Sequence, residues 1–99
     1  MFQQAVDDID RAIRMEPKEP LYHAERAVVY YRIGEFAEAL SSAKKSAELN
    51  PEFGDAYRLM GMCQLKFNQR EEGLAHLKKA AELGDESAQT ILTEEETKQ

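Results

Sequence analysis

The 99-residue chain is poor in the residues that most often carry chemistry. A single cysteine, Cys63, allows neither an internal disulfide nor a cysteine-based zinc site. That scarcity fits a reducing cytoplasm without ruling out an exported protein. The only histidines, His23 and His76, lie 53 positions apart, on helices of different units. No metal site and no cofactor are expected, and His76 reads as a surface residue. There is no glycine-rich phosphate loop, because the five glycines are scattered. No apolar run approaches the roughly 18 residues of a membrane helix, so no membrane insertion is expected. Basic residues are the minority, 13 against 19 acids, for a net charge of −6. That balance argues against nucleic acid, whose binding rests on Lys and Arg releasing counterions. Ser41, Ser42 and Ser46 have no base nearby, and the acidic groups around Asp8, Glu71 and Glu95 read as solvated faces. The chain does not look like an enzyme.

What the sequence does have is a period. Pro17 and Pro51 lie 34 positions apart, and Asp85 follows after the same interval. The same shift aligns Ala5, Ala39 and Gly73 as small residues, and Val6, Leu40 and Leu74 as aliphatics. Gly34 falls on Asn68 and Asn50 on Gly84, two exchanges between the residue types that enter the left-handed conformation most readily. Each of these four positions is therefore expected to close a helix. Within a period the apolar spacing is helical, as in Ala24, Ala27, Val28, Tyr30 and Tyr31, and no strand alternation is present. Six helices are predicted, near residues 2–15, 20–33, 36–49, 54–67, 70–83 and 86–95.

These columns resemble the tetratricopeptide repeat. The third unit carries Tyr57, Met60-Gly61, Gly73, Leu77 and Ala80 at that family's offsets; the second carries Ala27, Tyr30, Gly34, Phe36, Ala39, Leu49 and Pro51. Four positions depart from the pattern: His23 and Arg70 replace aromatics, Gln64 replaces Tyr, and Asp85 replaces Pro. The resemblance implies an all-α fold of antiparallel helix pairs stacked as a right-handed α-solenoid. Its parts would be the second helix of a partial repeat over 1–17, repeats over 20–53 and 54–87, and a capping helix with its tail over 88–99. Small residues at Ala27, Ala39, Gly61 and Gly73 would let paired helices approach closely.

In that family one face of each first helix lines a concave groove that holds peptides. Here the face comprises Ala24, Val28, Tyr31 and Arg32 in one unit and Arg58, Met62, Leu65 and Lys66 in the next. It is apolar and basic in an acidic chain, which suggests a peptide or protein partner. Neighbouring first helices also touch through part of this face, so internal packing competes with binding for the same residues. The family's clamp for a C-terminal carboxylate uses Lys, Asn and Arg side chains. The matching positions hold Ala24, Val28, Arg58 and Met62, so that clamp is not expected. The alternative function is a structural spacer or oligomerisation segment of a larger repeat protein.

Two further expectations concern the ends. Phe2, Val6, Ile9 and Ile13 form a stripe wider than one neighbouring helix would cover, which suggests further repeats before it or a homodimer through this helix. At the other end Asp85 can cap a helix that docks through Ala88, Ile91 and Leu92, with the chain beyond Glu94 fraying.

Overall fold

A computed structural model describes residues 2–98. They form six helices: α1 (Phe2–Met15), α2 (Pro20–Arg32), α3 (Phe36–Leu49), α4 (Gly54–Lys66), α5 (Arg70–Glu82) and α6 (Glu86–Thr97). No strand occurs among the described residues. The turns of three or four residues between helices force each to run antiparallel to the one before it. α2 pairs with α3 and α4 with α5; α3 packs on α4, α2 touches α4, and α5 carries α6. The stack measures 42 × 26 × 18 Å.

The helix ends follow from local chemistry. Pro20 opens α2, where its missing N–H costs nothing, and the Glu19 carboxylate accepts from the Leu21 N–H at 3.3 Å. Gly34, Asn68 and Gly84 adopt φ of 85°, 61° and 97° and close α2, α4 and α5. Each lets the next N–H turn back onto the helix, as Glu35 does to the Tyr30 carbonyl at 2.9 Å. Asn50 closes α3 in a different conformation. It is extended, with φ −142° and ψ 95°, because Pro51 bars the helical conformation of the residue before it. Its carboxamide instead accepts from the Glu52 N–H at 3.1 Å.

The core is built largely from alanine. Ala24, Ala27, Ala43, Ala47 and Ala56 are buried with Leu59 and Met60 where α2, α3 and α4 meet. A second cluster of Leu77, Ala80, Ala88 and Leu92 joins α5 to α6, and Tyr57 packs against both clusters. α4 and α5 cross at two glycines. A Cβ on Gly61 would lie 2.7 Å from both the Gly73 carbonyl oxygen and Leu77 Cγ, so only a bare backbone fits there.

The last helix is longer than expected. α6 continues to Thr97 rather than fraying after Glu94, because Glu95 is buried and held from two sides. At its start Asp85 caps as expected, accepting from the Ala88 N–H at 2.9 Å.

Candidate functional site

The two groove-face quartets have different fates. Tyr31, Met62, Leu65 and Lys66 come together at one open depression of about 390 Å³ near the C-terminal ends of α2 and α4. Ala24 is instead only 4% exposed and belongs to the alanine core, and Val28 packs against that core. Arg32 is exposed near the end of α2. Arg58 is committed internally: its guanidinium donates to Asp85 at 2.6 Å and lies 3.5 Å from Asp55. The two demands on this face, packing and exposure, are thus divided along the helix. Its N-terminal half packs and its C-terminal half opens.

α6 supplies a third wall that sequence reasoning missed. Ile91, Glu94, Glu95 and Lys98 line the depression, with Asn68 and Arg70 at the α4–α5 turn. Carrying the 34-residue register on from Met62 leads to Glu96, which lies elsewhere. α6 instead presents Ile91 and Glu95, 34 positions beyond Tyr57 and Gly61, the residues that in α4 face α5. The available signal was that second column, not the one followed.

The site has two electrostatic regions. Arg70 Nη1 donates to Glu95 Oε1 at 2.8 Å and Nη2 donates to the Glu95 carbonyl at 3.1 Å. Lys98 donates to the other carboxylate oxygen, also at 2.8 Å. The Lys98 ammonium and then the Arg70 guanidinium hold the Glu95 carboxyl below its usual range, and Glu95 in turn raises Lys98. On the opposite side the ring of Tyr31 meets Phe36 edge-on, 5.2 Å between centroids. The Lys66 ammonium stands 6.0 Å from the Tyr31 ring centre and 5.7 Å from that of Phe36. Partial burial raises the Tyr31 hydroxyl pKa.

Nothing in the surroundings suggests bond-making. Burial pushes the Cys63 thiol up to about 11, so it stays protonated and behaves as a core side chain. His76 is half-buried rather than on the surface: its Nδ1 donates to Gln64 Oε1 at 2.7 Å and its ring stacks 6.2 Å from Tyr57. His23 is buried, with Nε2 3.0 Å from the Pro17 carbonyl. Among the described residues no three His, Cys, Asp or Glu side chains are placed to hold a metal ion. No helix of these residues is long and apolar enough to cross a membrane.

The N-terminal stripe is largely covered by α2. Val6 is buried and Ile9 and Ile13 are half-buried, whereas Phe2 is 52% and Met15 77% exposed.

Residues 20–53, which are α2, α3 and their turns, match the family model of the tetratricopeptide repeat. Residues 20–53 are a tetratricopeptide repeat, and the described helices share the fold of domains built from such repeats. It is 28% identical over 82 residues to the small glutamine-rich tetratricopeptide repeat-containing protein 2 of Mycosarcoma maydis, covering 83% of this chain and 23% of that one. It is 32% identical over 81 residues to the Hsp70-Hsp90 organizing protein 2 of Arabidopsis thaliana, covering 82% of this chain and 14% of that protein. The repeats described here therefore span less than a quarter of these relatives. In structure they superpose with a TM-score of 0.87 on the first such domain of Spaghetti (RPAP3), solved with the HSP90 peptide SRMEEVD. That match has 24% identity and covers 94% of this chain and 75% of the other. Within this repeat frame, each of the four departures from the family pattern makes a polar contact. His23 reaches Pro17, Gln64 reaches His76, Arg70 reaches Glu95, and Asp85 reaches Arg58.

Proposed function

We propose that this repeat domain is a non-catalytic interaction module, using no cofactor, that binds a peptide segment of a partner protein in the groove between α2, α4 and α6. One observation carries the reading: Tyr31, Met62 and Leu65, from two successive repeats, share an open depression with Ile91 and Lys66, where the apolar four stay half-buried although Leu65 and Ile91 also pack on the α5–α6 cluster. Folding alone would favour covering such a row of apolar groups. The structural neighbour solved with an HSP90 peptide supports a peptide as the occupant. The net charge of −6 argues against nucleic acid as the partner.

The test is selection of random peptides on the whole domain, followed by titration with a Tyr31→Ala/Met62→Glu variant. Selected peptides should bind the variant at least about tenfold more weakly, as removal of central apolar contacts does at other interfaces. Peptides that bind both forms equally would remove the groove as the site. Failure to select any peptide would favour the spacer reading.

Homodimerisation through α1 has a narrower basis, since only Phe2 and Met15, near its two ends, present large exposed apolar surface. If two copies pair there, light scattering at micromolar concentration gives twice the chain mass, and Phe2→Ser returns it to that of one chain. A monomeric parent would eliminate this pairing.

A further inference from the structure

We propose that the groove reads one acidic side chain within its peptide, next to an apolar one, and does not read a free chain terminus; this rests on the groove being the binding site. The inference comes from how the cations near the groove are spent. Arg70 and Lys98 both bond Glu95, and Arg58 is held by Asp85 outside the depression. Lys66 alone of the groove's cations makes no ion pair among the described residues.

The placing of Lys66 suits it to a carboxylate. Its ammonium stands against the Tyr31 and Phe36 rings, so part of its hydration shell is replaced by apolar surface. A charge pair formed there is screened less than one in open water. Glu94 lines the opposite side and repels a second negative charge, which fixes the direction of the ligand. The acidic side chain lies toward α2, and an adjacent aliphatic or aromatic side chain enters between Met62, Leu65 and Ile91.

A chain terminus needs more than this. A terminal carboxylate is held by several donors, and the positions that would provide them are filled otherwise. Ala24 is buried, Val28 packs against the core, and Arg58 is already neutralised. One unpaired ammonium matches one side-chain carboxylate.

The experiment uses random twelve-residue peptides displayed as N-terminal coat-protein fusions, which have no free C-terminus, selected on the whole domain. Winners should carry Asp or Glu beside Leu, Ile, Met or Phe. As synthetic amides they should bind Lys66→Glu about tenfold more weakly than the parent. Lys66 is exposed, so that variant keeps its fold, which its helical circular dichroism verifies. The peptide SRMEEVD, as free acid and as amide, should bind with affinities within about twofold of each other.

Winners that need Tyr31 and Met62 but are indifferent to Lys66→Glu would overturn the acidic-residue proposal and leave the groove in place. A free-acid SRMEEVD that binds more than about fivefold tighter than its amide would overturn the exclusion of termini. Winners indifferent to all three substitutions, or no winners at all, would remove both this proposal and the groove reading beneath it.

Discussion

The two complete helix pairs solve one crossing with different side chains. In α2–α3 the contact is made by Ala27, Ala39 and Ala43, all with no exposed surface. The positions 34 residues on, in α4–α5, hold Gly61, Gly73 and Leu77. Two alanine methyls are given up: one on Gly61 would lie 2.7 Å from Leu77 Cγ, and one on Gly73 would lie 3.3 Å from the Leu65 side chain. The pairs differ outside the crossing as well. Ser46 Oγ donates to the Pro20 carbonyl at 2.8 Å and pins the first pair, whereas the second has Ala80 beside Gly54. Phe36 meets Tyr31 edge-on, while its counterpart Arg70 binds Glu95. What the repeat preserves is the volume at the crossing, not the residue that fills each position.

The largest effect expected from breaking this comparison is that of Leu77→Ala. Removing a fully buried leucine beside Gly61 leaves a cavity, at a cost of about 2–5 kcal/mol. In a domain this size each kcal/mol lowers the melting temperature by roughly 4–8 °C, readable by circular dichroism. A shift below about 4 °C would mean that this side chain does not fill the crossing.

Gly61→Ala comes next, costing about 1–3 kcal/mol because the new methyl meets a backbone oxygen as well as Leu77. The double variant Gly61→Ala/Leu77→Ala moves the second pair toward the alanine arrangement of the first. It should melt above the sum of the two single losses, with a coupling of about 0.5–3 kcal/mol. Simple additivity would show that volume is not exchanged between the two positions.

The smallest effect separates the outer joints by pH. Glu95 has a depressed pKa in the folded chain, so its contribution is complete above the ordinary carboxyl value of 4.5 and is lost as pH falls through the lower folded value. Hydrogen exchange should therefore show α6 loosening in acid, and Arg70→Gln should reduce that dependence. The α2–α3 amides, whose joint at this position is Tyr31 on Phe36, should respond less. Equal acid sensitivity in both pairs would show that the Glu95 bridge does not hold α6.

Helix positions were legible because they depend on local chemistry and on a period that repeats. Each end fell within two residues of expectation, and the small residues at 27, 39, 61 and 73 did mark the close crossings. Asn50 closes its helix as expected, but through Pro51, which governs its backbone, and not in the left-handed conformation of Gly84. Half of the anticipated face was legible as residues that meet at one depression. Its other half was not, because helical periodicity shows that a face is apolar and cannot tell burial from exposure. The bonds Arg58–Asp85 and Arg70–Glu95 join residues 27 and 25 positions apart, a separation that no helix spacing encodes. Yet Arg70 and Asp85, like His23 and Gln64, were visible as departures from the family pattern. A polar residue in an apolar column was the trace of its partner.

The order of packing has a mechanical consequence. α1 rests chiefly on α2 and α6 on α5, and the joints between them follow chain order apart from the touch of α2 on α4. A tension applied to the two ends would therefore load these joints in series. The outermost helices would peel first, each by giving up its own interface while the pairs behind it stayed closed. Unwinding α1, of 14 residues, would lengthen the chain from about 1.5 Å per residue to at most about 3.3–3.6 Å per residue. The domain would yield under load in steps one helix long.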